Sequence, residues 1–178
     1  MEILQLIVSV AILLVCVTVA IFLITGLTGA PYVPTMQYGL EEAFTKLYRL
    51  KPNDLLIDLG AGNGTILAEA EKKKSKAIGI ELNPVLALIT RHRFKNNKKI
   101  KVACRNFYRY NFPKETTVIY AFAVAIHITP IYRKIQSEAN RLNKTLYFVS
   151  NAFNVPGVKP KGKLNTFFLY EIKPEQKS

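Results

Sequence analysis

Hydrophobic residues occupy the start of the chain almost without interruption. From Ile3 to Leu27 the sequence holds 25 residues and not one charged side chain. As a helix this segment would be about 37 Å long, which exceeds the hydrocarbon thickness of about 30 Å that a membrane span must cross. The pattern predicts one N-terminal transmembrane helix.

Two other interpretations of this segment are disfavoured. A cleaved signal peptide has a positively charged N-terminal region and an apolar stretch of about 7–15 residues, whereas here only Glu2 precedes the apolar residues. A buried core helix of this length needs more protein around it than a small domain supplies. Every Lys and Arg follows the segment, so the positive-inside bias predicts a single-pass membrane protein with its domain on the cytoplasmic side.

Beyond the anchor, short apolar runs alternate with stretches of helical period. Strands alternating with helices in this way are typical of βαβ units and a mainly parallel sheet, hence of an α/β fold. We expect an anchor in residues 1–30 and a working domain in residues 31–178. The strand candidates are 54–59, 77–81, 101–104, 117–123, 145–150 and 166–172, and the helix candidates are 37–50, 65–74, 84–96 and 131–142.

Charge separates the two parts further. The chain has 25 Lys and Arg against 12 Asp and Glu, a net charge of +13, and residues 31–178 alone carry +14 because Glu2 lies in the anchor. With 49% hydrophobic residues, the chain is too apolar to be disordered. Two cysteines provide no disulfide framework, and His92 and His127 lie on different predicted elements, so we expect no metal site.

The most informative stretch is a glycine-rich turn between the first strand of the domain and the next helix. It reads Asp58-Leu-Gly-Ala-Gly-Asn-Gly64, and Glu81 ends the next strand, 21 positions after Gly60. Such glycines let a ligand approach the main chain, and an acid at that distance can accept both hydroxyls of a ribose. The spacing predicts an adenosine-containing ligand; a tight turn without a ligand is the plainer alternative.

The spacing within the turn narrows the choice of ligand. Dinucleotide sites place the third glycine three positions after the second, where a helix N-terminus binds pyrophosphate. Here the third glycine comes two positions after the second, and Asp58 stands two residues before the first. An anionic side chain would repel a pyrophosphate, but it suits a ligand with an α-amino group and a sulfonium. That ligand is S-adenosylmethionine.

The turn, together with Gly79-Ile-Glu-Leu-Asn-Pro84, resembles the class I S-adenosylmethionine-dependent methyltransferases. This resemblance implies a Rossmann-like, seven-strand methyltransferase sheet with helices on both faces, here preceded by one transmembrane helix. The cofactor-binding residues expected from the motifs and the resemblance are Asp58, Gly60, Ala61, Gly62, Asn63, Gly64, Glu81, Leu82, Asn83, Asn106 and Phe107.

A narrower resemblance covers nearly the whole chain. The apolar span, the linker Pro31-Tyr-Val-Pro-Thr35 and the segment Asn151-Ala-Phe-Asn-Val-Pro-Gly157 are similar to the membrane-anchored protein-lysine methyltransferases. In mitochondria these enzymes modify the ATP synthase c subunit and the adenine nucleotide translocase. The resemblance implies methylation of a lysine ε-amino group in a membrane-associated protein.

The substrate side of this expectation is less specific than the cofactor side. Tyr32, Thr35, Asn151 and Phe153 are candidates for lining a lysine channel, although Pro31–Thr35 is equally well a stiff linker, and no catalytic base is assigned. The family commonly has an acid where this chain has Asn106, whose side chain can still hydrogen-bond to adenine. The family usually has a glycine-containing turn after the strand that follows Phe107, and this chain has the apolar residues 121–125 there instead.

A nucleic-acid methyltransferase is the main alternative. Residues 82–114 hold nine basic residues and no acid, interleaved with aromatic side chains that can stack on bases. However, no Asn-Pro-Pro-aromatic motif follows the fourth strand, and Cys104 follows an alanine rather than a proline. We interpret the basic stretch first as contact with anionic lipid headgroups and then as a docking site for an acidic partner.

Two further classes of function stay open. Methylation of a small molecule or a lipid is not separated from lysine methylation by the sequence. A non-catalytic membrane scaffold is disfavoured, because Asp58, Glu81 and the glycines of the turn are all present.

Overall fold

The computed structural model describes residues 2–28, 39–122 and 125–175. The chain divides into two compact units, Met1–Val33 and Pro34–Ser178. The expected boundary between residues 30 and 31 lies outside the described residues, as do Tyr32 and Thr35.

The first unit contains helix α1, Glu2–Thr28. Its window Ile3–Ala20 has a mean hydropathy of 2.8, and its apolar side chains are exposed, as at Ile12 and Leu13. A helix that is apolar on all sides belongs in an apolar medium. By length and composition, α1 could cross a membrane.

The second unit is built on one seven-stranded sheet. The strands are β1 Leu55–Leu59, β2 Lys76–Glu81, β3 Ile100–Cys104, β4 Val118–Phe122, β5 Leu146–Asn151, β6 Gly162–Leu164 and β7 Phe167–Ile172. Strands β1 to β5 run parallel, and β7 pairs antiparallel with both β5 and β6. The order is β3-β2-β1-β4-β5-β7-β6, so the strand order reverses direction between β1 and β4. Ligands of open α/β sheets bind at the carboxyl ends of strands at such a switch point.

Helices cover both faces of this sheet, as the sequence predicts. A short helix α2 covers Leu40–Glu42 and continues as a π-helix over Ala43–Leu47; α3 is Thr65–Lys72, α4 is Pro84–Arg93 and α5 is Ala125–Leu142, and a 3₁₀ turn covers Phe107–Arg109. Apolar residues of α2 and α3 share one core with Leu56 and Tyr120. Apolar residues of α5 share the other with Ile57, Ile119 and Phe148.

Alternation along β1 explains why two cores form. Leu56 lies in the first core, whereas Leu55, Ile57 and Leu59 lie in the second. Successive strand residues point to opposite faces, so a strand that is apolar throughout is buried on both. The α/β fold predicted from the sequence is therefore confirmed.

Three elements differ from the expectation. The helix expected over residues 37–50 is α-helical only at Leu40–Glu42 and π-helical over Ala43–Leu47 within the described residues. Helix α5 begins at Ala125 rather than at residue 131, because its apolar stripe already starts at Ile128 and Pro130 is accommodated in its early turns. The expected start at residue 131 places this proline before the helix, whereas Pro130 lies inside α5 as its sixth residue, where a proline removes one backbone hydrogen bond of the helix. Strand β6 is not predicted by the sequence, since Gly162-Lys-Leu164 shows no apolar alternation and is recruited by pairing with β7.

Candidate functional site

The glycine turn joins the carboxyl end of β1 to α3 by left-handed backbone. Gly60, Gly62 and Gly64 have φ values of 83°, 52° and 82°, a region that residues with a Cβ rarely adopt. The N–H groups of Gly60 and Ala61 both donate to the Ile80 carbonyl, at 2.8 and 3.1 Å. The turn is thereby held against the end of β2.

The glycines of the site differ in what surrounds them. A Cβ on Gly64 would lie 2.7 Å from the Phe94 ring and 2.8 Å from the Thr90 methyl group, and one on Gly79 would lie 2.6 Å from the Ala61 Cβ. These two glycines allow α4 and β2 to pack against the turn. A Cβ on Gly60 would meet no atom within 4 Å, so the space over Gly60 is available to a ligand.

Asp58 lies inside the sheet, on β1, two positions before the first glycine of the turn. It sits between Gly79 of β2 and Tyr120 of β4 and is 1% exposed. Its Oδ2 atom has no hydrogen-bond partner among the described residues. Burial, and secondarily the nearby Glu81 carboxylate, raises the pKa of Asp58 to about 8. A buried carboxyl group with an unused oxygen is stabilised by a cationic ligand, which fits a sulfonium with an α-amino group.

Glu81 is positioned by the backbone of the turn itself. Its Oε2 accepts from the Gly62 N–H and its Oε1 accepts from the Asn83 N–H, both at 2.8 Å. The side chain is 8% exposed. Because a carboxylate offers about four acceptor sites, these two bonds orient Glu81 and leave lone pairs for ribose hydroxyls.

Two of the asparagines predicted to bind the cofactor take part in local structure. Asn83 Oδ1 caps α4 by accepting from the N–H groups of Val85 and Leu86, with Pro84 at the first helical position as predicted. Asn63 Oδ1 accepts from the Thr65 backbone and hydroxyl groups. Their contacts to a cofactor stay predictions.

The residues expected to face adenine follow β3. Asn106 is exposed, and its Oδ1 accepts from the Tyr108 N–H at 2.9 Å. Phe107 is half-buried and its ring lies 4.3 Å from that of Tyr108. Leu82, at the end of β2, is 36% exposed. These side chains all follow carboxyl ends of parallel strands, on the same edge of the sheet as the glycine turn.

Sequence reasoning missed two residues of α4 that hold the turn. The hydroxyl of Thr90, which is fully buried, donates to the Gly62 carbonyl at 2.6 Å. The Arg93 guanidinium donates to the Asn63 carbonyl at 2.8 Å. The available signal was a polar residue within the apolar stripe of Ala87 and Phe94, which implies a buried hydrogen bond.

Of the residues expected to line a lysine channel, the structure describes two, and one of them is buried while the other is exposed. Asn151 is 5% exposed; its Nδ2 donates to the Tyr120 hydroxyl at 3.2 Å, and its Oδ1 accepts from the Thr166 hydroxyl at 2.8 Å. These bonds tie β4, β5 and the β6–β7 turn together. Phe153 is 39% exposed and therefore has surface to offer a substrate.

No group of three or more His, Cys, Asp or Glu side chains in the described part of the chain could hold a metal ion. His92 is exposed on α4, and His127 is half-buried in the first turn of α5. The two histidines thus lie on different helices.

Comparisons with known proteins place this site among methyltransferases. A protein-lysine N-methyltransferase from Saccharolobus islandicus is 28% identical over 157 residues, which cover 80% of this chain and 93% of that protein. A human lysine N-methyltransferase of the ATP synthase c subunit is 38% identical over 63 residues, 35% of this chain and 26% of the human protein.

Other relatives are named for RNA. A probable ribosomal RNA small subunit methyltransferase A from Methanosarcina acetivorans is 24% identical over 123 residues, or 68% of this chain. This chain spans less than half the length of that relative, 46%.

A solved structure confirms the fold. An RNA methyltransferase from Salinibacter ruber, in complex with S-adenosyl-L-homocysteine, superposes with a TM-score of 0.69 at 20% identity, covering 82% of this chain and 97% of that one. The family model of the ANTKMT methyltransferase domain matches residues 58–162, more than half of the chain, from Asp58 of β1 to the start of β6. With its glycine turn, buried acid and seven-strand sheet, the chain belongs to the ANTKMT methyltransferase domain family.

Proposed function

We propose that this protein is a membrane-anchored, S-adenosylmethionine-dependent methyltransferase that methylates the lysine ε-amino group of a membrane-associated protein. The observation that carries the cofactor half of the proposal is Asp58, a fully buried carboxyl group with an oxygen that has no partner among the described residues, two positions before Gly60, over which the space is open. Family membership supports the reaction class.

The residues of the site have distinct tasks in this proposal. When bound, S-adenosylmethionine supplies a methyl group on a sulfonium. Asp58 would provide the negative charge that holds the cationic part of the ligand, and Glu81 would accept hydrogen bonds from the ribose hydroxyls. The main chain of Gly60–Gly64 would contact the ligand, and Asn106 and Phe107 would border its adenine.

Catalysis then depends on alignment. Displacement at a sulfonium methyl group needs the lysine nitrogen in line with the bond that breaks, so precise positioning supplies most of the rate enhancement. Ile126, Phe153 and Leu82 are exposed after β4, β5 and β2, and they give the sheet edge an apolar rim that can guide the aliphatic stem of a lysine.

Membrane anchoring is the second part of the proposal. Helix α1 supports it by its length and uniform apolarity, and the distribution of Lys and Arg supports a cytoplasmic domain. We place the anchor in residues 1–30 and the methyltransferase domain in residues 31–178. The bilayer is then both the support of the enzyme and the environment of its substrate.

RNA methylation is the second candidate, because relatives carry that name and residues 82–114 are strongly basic. Lysine is favoured because the Saccharolobus protein-lysine methyltransferase aligns over 93% of its length, against 46% for the Methanosarcina RNA methyltransferase. The family model points the same way.

The test is incubation of the full chain, reconstituted in liposomes, with methyl-labelled S-adenosylmethionine, native membranes and total RNA. We expect label on lysine side chains of membrane proteins, identified by mass spectrometry, and no label from an Asp58→Asn variant. Label in RNA or lipid instead of protein would overturn the lysine proposal.

A further inference from the structure

Helix α4 exposes large apolar side chains on its outer face. Leu88 and Ile89 are 66% and 54% exposed, while Ala87 and Thr90 on the inner face are fully buried. Leu82, just before the helix, is 36% exposed. In the described part of residues 39–175, only three other large apolar side chains are as exposed as Leu82 or more, namely Tyr108, Ile126 and Phe153. Adjacent exposed aliphatic residues on one helix indicate an interaction surface.

Basic groups border this apolar ridge of Leu88 and Ile89. Arg91 donates through Nε to the Val102 carbonyl at 3.0 Å, and Arg93 donates to the Asn63 carbonyl at 2.8 Å. Both guanidinium groups are therefore held against the domain surface near the ridge. Residues 82–114, which include α4, contain nine basic residues and no acid; a nearby acid is Glu71 of α3, which accepts from Asn97.

We propose that α4 is an interfacial helix: Leu88 and Ile89 insert at the headgroup level of an anionic bilayer, while the surrounding basic side chains contact its phosphates. A helix that lies in the membrane interface buries its apolar face by about 5–10 Å, and each basic residue near an anionic surface strengthens the attraction to it. The apolar ridge matches the outer part of the hydrocarbon layer, and the basic side chains around it match the layer of phosphates.

This inference rests on the membrane anchoring proposed above and deepens it. A domain joined covalently to a spanning helix meets the adjacent bilayer surface at high effective concentration, so even a small interfacial patch is occupied. Lipid is favoured over an acidic protein because the centre of the patch is aliphatic rather than polar, whereas an acidic partner would need cations there.

Docking through α4 has a consequence for the reaction. The same helix holds the glycine turn through Thr90 and Arg93. A bilayer bound to its outer face would therefore lie one helix diameter, about 10 Å, from the cofactor turn. Lysines that emerge from the membrane at headgroup level would then be presented to the site.

The absence of tryptophan from the chain allows a direct test. The full chain carrying Leu88→Trp is reconstituted in nanodiscs containing bromine-labelled phosphatidylcholine with or without phosphatidylglycerol. We expect the fluorescence of this single tryptophan to shift to shorter wavelength and to be quenched by the brominated chains, several-fold more strongly with the anionic lipid. High salt should weaken the quenching, because it screens the charges.

The matched control is Lys163→Trp, on β6 at the sheet edge opposite β3. We expect it to show no lipid-dependent quenching. Equal quenching of the two tryptophans, or none at position 88, would overturn the proposal and leave α4 to a protein partner.

A second pair of measurements separates this inference from the function itself. Lys95→Gln combined with Lys98→Gln should reduce the quenching at position 88, since both lysines are exposed in the basic stretch. If quenching is absent while the protein still resists alkaline extraction and labels lysine, only the role of α4 fails. If extraction releases the protein, the membrane anchor fails.

Discussion

Asp58 combines two properties that rarely occur together in a folded protein, complete burial and an oxygen without a hydrogen-bond partner among the described residues. The sheet around it is apolar, and the neighbouring acid Glu81 is already bonded to the backbone. Such a group destabilises the free protein and gains stabilisation when a cation binds. Residues of this kind mark ligand sites.

The first prediction concerns the stability of the free protein. Burial raises the pKa of Asp58 from 3.8 to about 8, so between these pH values the folded state keeps a proton that the unfolded state has lost. The free energy of unfolding should then fall as pH rises across that window, by about 1.4 kcal/mol per pH unit. Asp58→Asn should abolish this slope. Urea unfolding of the full chain in micelles, followed by tyrosine fluorescence, measures it; equal slopes for both proteins would contradict the assignment.

The second prediction concerns ligand binding at the same residue. Because the Asp58 carboxyl group is largely protonated at neutral pH and a cationic ligand favours its ionised form, binding of S-adenosylmethionine should release nearly one proton. Affinity should therefore increase with pH up to about 8. Calorimetry in buffers of different ionisation enthalpy measures the proton count.

In the same titrations, the Asp58→Asn variant should bind S-adenosylmethionine about 10- to 100-fold more weakly, since it removes the carboxylate charge proposed to pair with the ligand. It should also release no proton. Proton release that persists in the variant would assign the titration to another group.

At the scale of elements, the junction of β1, β2, α3 and α4 is the unit that forms the site. Glu81 of β2 accepts from Gly62, and Thr90 of α4 donates to the carbonyl of the same residue. The turn is thus held by hydrogen bonds to two residues that lie 19 and 28 positions after Gly62 in the chain. Its conformation is a property of the assembled sheet and helix.

The third prediction uses two glycines of this turn as a matched pair. Gly60 and Gly64 have nearly equal φ values, so an alanine at either position costs about 1–2 kcal/mol in backbone strain. In Gly64→Ala the new Cβ would also clash with Thr90 and Phe94, whereas in Gly60→Ala it points into open space.

We therefore expect opposite consequences for the two variants. Gly64→Ala should lose more unfolding free energy, measured by urea denaturation of the full chain in micelles. Gly60→Ala should keep more of its stability but lose more cofactor affinity, measured by calorimetry, because its methyl group occupies the space assigned to the ligand. Equal stabilities and equal affinities would refute the location of the ligand.

At the scale of the whole molecule, a uniformly apolar helix is joined to a strongly basic domain. The helix and the sheet belong to separate compact units, and the domain carries the entire positive charge of the chain. Such a division is expected of an enzyme that works at an anionic bilayer surface.

The fourth prediction tests the span. An arginine near the centre of a membrane helix costs about 2.5–3.5 kcal/mol, so replacing Leu13 and Leu14 together by arginine should release the protein from membranes on alkaline carbonate extraction. The double alanine variant at the same positions is the control and should stay in the membrane fraction. Release of the unmodified protein would show that α1 does not span.

Most of the helices and strands can be predicted from the sequence, because they depend on local patterns. The apolar run of α1, the alternation of strands and helices, and the Asn83-Pro84 start of α4 depend on neighbouring residues only. The glycine turn and Glu81 are recognisable for the same reason, as their spacing is set by one βαβ unit. The roles of all the expected cofactor-binding residues, Asp58 and Glu81 included, stay predictions.

Other features arise from contacts that no local pattern encodes. The sequence does not show that Asp58 has an oxygen without a partner among the described residues, that Thr90 and Arg93 hold the turn, or that Asn151 is bonded to Tyr120 and Thr166. It also does not show which apolar residues of α4 are exposed on the surface of the domain. The sequence alone determined most of the elements and the residue types of the turn, since both follow from periodicity and composition. Only the tertiary structure decided which side chains are buried and which groups share hydrogen bonds. Both depend on residues that the folding of the sheet brings together from distant parts of the chain.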